Sequence, residues 1–219
     1  MALGFLTIGQ SPRTDVTREL PESLRALKIV EAGALDNLTT TQIESLRPQK
    51  GETVYVSRLR NGSEVTIAKE RLIPLLNEKT KVLEREGVET IVVLCSGKLE
   101  LKSVVKVIFP SSILEHAVQS LLNGEGRLGV LVPEETQVEE AIENWSVFAQ
   151  DVNALCFSPY GRLTESLDRL AKALSDRDLI VLDCIGYTRD HRKTVRNLSR
   201  TPVISARSIT FRLLEELTT

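Results

Sequence analysis

Two of the three cysteines stand in matching surroundings. Cys95 ends the apolar run that begins at Thr90 and is followed by Ser96-Gly97; Cys184 ends the run that begins at Asp178 and is followed by Ile185-Gly186. An apolar strand, a cysteine, any residue, a glycine and then a helix thus occur twice, 89 positions apart. A thiol is suited to moving a carbon-bound proton, because its ordinary pKa of about 8.5 can be drawn toward neutrality at a helix N-terminus. Two thiols on opposite sides of one small molecule could take a proton from one face and return one to the other. The glycine two residues on lets the backbone approach a ligand. A free cysteine is equally a small core hydrophobe, and that is the reading for Cys156, inside Ala154-Leu155-Cys156-Phe157.

Ligands of open α/β sheets collect where strands end and helices begin. Four loops fit: Gln10–Arg13, Cys95–Lys98, Pro133–Gln137 and Cys184–Thr188. In the first, Ser11 can cap a helix with Pro12 at its first position, and Arg13 can offer its fork to a carboxylate. Gln10, Ser11, Ser96 and Gly97 supply polar contacts on one side, and Thr136, Gln137 and Gly186 on the other. Tyr187 and Thr188 could present hydroxyls to the same ligand, although Tyr187 could instead pack its loop against the sheet.

Other chemistries find little support. His116 and His191 lie far apart without Cys-x-x-Cys or His-x-x-x-His spacing, so no metal is expected; both fit exposed helix faces, His191 amid basic neighbours. Gly124-Glu125-Gly126-Arg127-Leu128-Gly129 copies a dinucleotide fingerprint but runs from helix to strand, the reverse of the required order. No P-loop or Gly-x-Ser-x-Gly elbow occurs, and no cofactor is expected. With 28 basic and 30 acidic residues among 219, and no long block of one sign, nucleic acid is an unfitting partner. No run approaches the roughly 20 apolar residues that cross a bilayer. Leu3–Ile8 lacks a basic flank and is too short for a secretory core, and three scattered cysteines make no disulfide framework, so cytoplasm is expected. A homo-oligomer is compatible with all of this.

The elements that must position these residues alternate. Strands fall at Leu3–Ile8, near Lys28–Glu31, Thr90–Cys95, Arg127–Val132, Val152–Phe157, Asp178–Cys184 and Pro202–Ser205; helices fall between them, one of them at Lys69–Glu86 with Leu72, Leu75, Leu76 and Leu83 on related faces. Thr39 caps a helix carrying Ile43 and Leu46. Asn61-Gly62 separates two short strands as a two-residue hairpin turn would. A helix is expected over Leu163–Leu174, another near Arg189–Leu198, and the last over Ser208–Leu217. The pattern predicts an α/β fold of two pseudo-symmetric Rossmann-like lobes with mainly parallel sheets and a ligand cleft between them. The first lobe would take residues 1–110 plus 206–219, the second 111–205.

Several segments together resemble the AroM family: Thr7-Ile8-Gly9-Gln10-Ser11-Pro12-Arg13-Thr14-Asp15, Gly33-Ala34-Leu35-Asp36, Leu94-Cys95-Ser96-Gly97, Gly129–Pro133 with Gln137 and Trp145, Leu182–Thr188 and Pro202-Val203-Ile204. The second half also looks like the aspartate/glutamate/hydantoin racemase superfamily, whose members carry one cysteine in each of two lobes. The resemblance implies binding or transformation of a small carboxylate or amino-acid-like ligand, with Cys95 and Cys184 as acid/base groups of racemase or isomerase type. A non-catalytic binding or regulatory protein, or a one-cysteine lyase, would use the same residues. Here Ser96-Gly97 replace the racemases' Asn-Thr after the first cysteine, and Asp183 stands before the second; an acidic neighbour facing the thiol opposes thiolate formation.

Overall fold

The computed structural model describes residues 2–161 and 165–218. It divides into two compact units, one of residues 1–110 with 213–219, the other of residues 111–212. The sequence pattern put the second crossing at the start of the last helix; the boundary between units falls inside that helix.

In the first unit, β1 (Ala2–Thr7), β2 (Lys28–Gly33), β5 (Thr90–Leu94) and β6 (Lys106–Ile108) form one parallel sheet in the order β2-β1-β5-β6. Central β1 and β5 are buried along almost their whole length, which is why both are continuous apolar runs rather than alternating ones. Between them run α1 (Thr14–Thr17), α2 (Glu22–Arg25), α3 (Thr40–Ser45), a hairpin of β3 (Val54–Arg58) and β4 (Glu64–Ala68), and α4 (Lys69–Arg85). Thr39 caps α3 as expected, closing a capping box with Gln42. Helix α4 buries Leu72, Leu76 and Leu83 in the core that also holds Leu6, Ile8, Ile91 and Val93. Gly87, at φ 76°, follows its last turn.

The hairpin turn differs from the expected one. Leu59 still pairs with Ser63, leaving the three-residue loop Arg60-Asn61-Gly62, with Gly62 donating to Leu59 O and adopting φ 88°. Only the glycine takes a positive φ, so the loop is a turn closed by a glycine bulge rather than a two-residue turn, in which both central residues would need it.

The second unit contains most of α5 (Pro110–Leu122), then β7 (Arg127–Val132), a single 3-10 turn over Glu135–Gln137, α6 (Val138–Trp145), β8 (Asp151–Cys156), α7 (Glu165–Ala173), β9 (Leu179–Leu182), α8 (Arg189–Ser199), β10 (Val203–Ser205) and the start of α9 (Ala206–Thr218). The first residues of the helix expected from Leu163 lie outside the described residues. Its parallel sheet runs β8-β7-β9-β10, the same order as β2-β1-β5-β6 when each strand is matched to its counterpart in chain order. Details repeat as well. Gly4 on β1 pairs with Ile91 and has Leu83 beside it; Gly129 on β7 pairs with Ile180 and has Leu174 beside it. Each glycine makes room for a helix-side leucine on the strand next to the cysteine strand. The string Gly124–Gly129 joins α5 to β7, helix to strand.

Candidate functional site

In the first unit, β1 and β5 are neighbours in register, Thr7 beside Leu94, so the loops at Ile8–Arg13 and Cys95–Lys98 leave the same sheet edge side by side. Asp36, just past β2, organises the first of them. Its carboxylate accepts the Ser11 N–H at 2.7 Å, the Ser11 hydroxyl at 2.6 Å and the Gly33 N–H at 2.7 Å, and it pairs with Arg60 at 2.9 Å. Arg60 also donates through Nε to Ser11 O, and its N–H reaches Gln10 Oε1 at 3.0 Å. Gln10 Nε2 donates to Leu35 O. A Cβ on Gly33 would stand 2.6 Å from Gly9 O and Ser11 N, and one on Gly9 would collide with Arg58 O and Ser57. The two loops and the hairpin are therefore one close-packed piece, and both positions require glycine for space.

This arrangement corrects the expectation for Ser11 and Pro12. They do not begin a helix: α1 starts at Thr14, lasts four residues, and has Arg13 at its N-cap without a side-chain cap; the Ser11-Pro12 bond is cis. Ser11 is fastened to Asp36 instead. Arg13 is not a solvated surface group but 2% exposed. Its Nε and Nη2 fork onto both carboxylate oxygens of Asp15 at 2.8 Å, and Nη1 donates to Thr7 and Ser57 hydroxyls at 3.1 and 3.3 Å. The fork is thus occupied by Asp15, and a ligand carboxylate would have to displace it.

Glu31 on β2 accepts the Arg13 backbone N–H at 2.7 Å. Burial pushes its carboxyl pKa up, with the Asp15 and Asp36 charges adding to the rise, and outweighs the lowering by Arg13. A carboxyl with a raised folded pKa contributes stability below its unfolded pKa that is lost as pH rises through the folded value. Glu31→Gln keeps an acceptor for Arg13 and removes the charge. We therefore expect the variant to melt at or above the wild-type temperature at pH 7, and the difference to shrink as the solution is brought below about pH 4.5. A variant less stable than wild type at pH 7 would contradict this assignment.

Cys95 is buried, and its Sγ accepts the Gly97 N–H at 3.3 Å. The hairpin reaches this loop: a Cβ on Gly97 would run into the ring of Tyr55, whose hydroxyl donates to Lys98 O at 2.7 Å. Ser96 is buried beside the thiol position.

The second unit repeats the motif. β7 and β9 are neighbours, so Pro133–Gln137 and Cys184–Thr188 leave one sheet edge together. Cys184 is buried and its Sγ accepts the Gly186 N–H at 3.4 Å. A Cβ on Gly186 would stand 2.7 Å from Pro159 and from the Tyr160 hydroxyl. An N–H directed at sulfur favours the thiolate over the thiol. Trp145 Nε1 donates to Asp183 at 3.0 Å, so the acidic neighbour of Cys184 is anchored to α6. Thr136 is exposed and Gln137 half-buried at the 3-10 turn. Cys156 ends β8 on the same edge and is the least buried of the three thiols.

Three second-unit residues are committed to the scaffold, which for Tyr187 is the alternative already open and for Thr188 and His191 replaces the first reading. Tyr187 is fully buried and donates to Phe157 O at 2.7 Å, so its hydroxyl fixes the loop rather than facing a ligand. Burial, reinforced by the Cys184 and Cys156 charges, pushes its pKa well above the ordinary value and keeps it neutral. Thr188 is the N-cap of α8, accepting the His191 N–H at 3.1 Å while its own N–H goes to His191 Nδ1. His191 is buried rather than solvated, packed edge-on against Phe157 and Tyr187.

The sequence reading missed Asp36 as an organiser, Tyr55, Tyr160 and above all Arg207. Arg207, in the first turn of α9, is buried; its Nε donates to Ile185 O at 2.9 Å and Nη2 to Gly186 O at 3.0 Å. A signal was present: Arg207 follows strand β10 on the edge where the other loops emerge. Among the described residues no group of three His, Cys, Asp or Glu side chains could hold a metal ion, and no helix is long and apolar enough to cross a membrane.

Comparison with solved structures returns proteins of like fold. An arylmalonate decarboxylase matches with a TM-score of 0.61 and 13% identity over 100% of this chain and 93% of that one. The glutamate racemase of Aquifex pyrophilus matches with a TM-score of 0.57 and 17% identity, over 100% and 84%. A mutant maleate cis-trans isomerase of Nocardia farcinica, carrying a covalently bound succinylcysteine intermediate, matches with a TM-score of 0.59 and 15% identity, over 99% and 92%. Such identities establish the fold, a racemase-type α/β architecture of two parallel-sheet lobes. No curated protein sequence matches. The model of the AroM protein family spans residues 3–218, which takes in the opening loop, both Cys-x-Gly loops and Arg207; the chain belongs to the AroM family.

Proposed function

We propose that the protein transforms a small carboxylate without a cofactor, with Cys95 and Cys184 as its acid/base groups. The observation that carries this reading is the repeated one: two equivalent strand ends, each with a buried thiol that receives the N–H of the glycine two residues on. A thiolate so placed can take a proton from the carbon beside a carboxylate, and a thiol can return one. The solved structures of like fold support the reaction class, being named as a racemase, a cis-trans isomerase and a decarboxylase. The backbone N–H groups of Ser96 and Ile185 are the proposed holders of the anion, with Gln10 and Thr136 at the adjoining loops.

The test is solvent-deuterium incorporation into a panel of small carboxylic, dicarboxylic and amino acids. We expect deuterium at the carbon next to a carboxylate of at least one member. Inversion with exchange marks a racemase, and loss of carbon dioxide with one incorporated deuteron marks a lyase. If ligands shift the melting temperature and none exchanges, decarboxylates or isomerises, the protein is a binding module and the catalytic reading is lost. The covalent succinylcysteine of the isomerase supports a second route, in which one thiolate adds to the substrate; mass spectrometry of the protein after a rapid quench would show such an adduct.

A further inference from the structure

We infer that Arg207 positions and polarises the peptide that donates to Cys184, favouring the thiolate at that cysteine. Ile185 O and Gly186 N belong to one peptide unit, and in a planar trans peptide the C=O and N–H point in opposite directions. The guanidinium binds one end of that unit, Nε to Ile185 O at 2.9 Å, while the other end, the Gly186 N–H, is aimed at Cys184 Sγ at 3.4 Å. A cation on the carbonyl draws electrons from the amide and strengthens its N–H as a donor, the cooperative effect of hydrogen bonds in series. The second contact, Nη2 to Gly186 O at 3.0 Å, holds the following peptide and prevents the first from rotating away. A fork of this kind needs arginine rather than lysine.

The corresponding peptide at Cys95, Ser96–Gly97, is covered by the uncharged ring of Tyr55. Both thiols therefore receive a glycine N–H, and at Cys184 that N–H belongs to a peptide held by a guanidinium. Asp183 opposes a thiolate, and its carboxylate is taken by Trp145 Nε1. Tyr187 donates to Phe157 O and stays neutral, Tyr160 abuts Gly186, His191 turns Nδ1 toward the Thr188 N–H, and Cys156 lies at the end of β8. Cys184 as a base of the reaction rests on the acid/base reading above; the effect of Arg207 on its thiol does not.

The test is a pH titration of the protein with 13Cβ-labelled cysteine, which separates thiol from thiolate by chemical shift and needs no reagent to reach a buried sulfur. In the wild-type protein the Cys184 midpoint should lie below the ordinary thiol value of about 8.5. In Arg207→Gln the Cys184 midpoint should rise by about one unit, roughly tenfold in thiolate fraction near neutrality, with Cys95 unmoved; Arg207→Lys should fall between. A wild-type Cys184 midpoint at or above about 8.5 overturns the inference without any variant. So does a folded Arg207 variant that keeps the wild-type midpoint. A Cys184 midpoint that depends on Arg207 in a protein that turns over no carboxylate would refute the proposed reaction and leave the role of Arg207 standing.

Discussion

Cys184→Ser and Cys95→Ser are each expected to lower turnover of an identified substrate by about 10²–10⁴-fold, the usual contribution of one acid/base group, while leaving the fold intact. Serine fits the space of either thiol and can accept the same glycine N–H, so the Cys-x-Gly loops should persist. Its hydroxyl is far less acidic, and proton transfer fails for that reason alone. Each single variant should still exchange deuterium on the face served by the remaining thiol, which separates loss of one acid/base group from loss of the site. Full activity in either variant would rule out a mechanism that needs both cysteines. A fall in melting temperature matching the fall in activity would assign the thiol to the core instead.

A second large effect is expected in stability. Asp15→Ala should cost about 3–5 kcal/mol, because it leaves the Arg13 guanidinium buried without the carboxylate that receives its fork. Arginine cannot relieve that position by losing its proton. Arg13→Met should cost less: the Asp15 side chain it leaves behind is 15% exposed, against 2% for Arg13, and a carboxylate can be hydrated or protonated. Urea denaturation of the two variants and the double variant would give both values and their coupling. A loss below about 1 kcal/mol for Asp15→Ala, the scale of a surface pair, would show that Arg13 is solvated. A greater loss for Arg13→Met would place the main support in its contacts to Thr7 and Ser57.

The strands and the two cysteine loops were legible because both sheets are parallel and buried on two faces, so β1, β5, β7 and β9 read as uninterrupted apolar runs that stop at polar loops. The three-residue β6 carries too few residues for a pattern, and its presence depends on the adjacent β5. The chemistry of the opening loop was misjudged for a physical reason. Ser11, Pro12 and Arg13 have the composition of a helix start, but the Asp36 carboxylate, 25 residues on, competes for the Ser11 N–H and hydroxyl and wins. Tyr187 and Thr188 have the groups to contact a ligand, yet each satisfies a backbone partner of the scaffold. Arg207 was missed because its place after β10 marks the sheet edge alone, and nothing in its neighbours in sequence shows that a buried guanidinium meets the carbonyls of Ile185 and Gly186.

The boundary inside α9 bears on how the protein is made. Residues 213–218 pack with the first unit, and Ser23 near its beginning donates to Glu215 at 3.0 Å. A ribosome delivers the chain from its N-terminus, and domains generally fold as they emerge. The first unit is therefore begun before the second and completed after it: its sheet can assemble once residue 108 is out, but the segment that finishes it arrives only after the whole second unit. Until that segment emerges, the Ser23 hydroxyl of a nascent first unit lacks the Glu215 carboxylate to which it later donates.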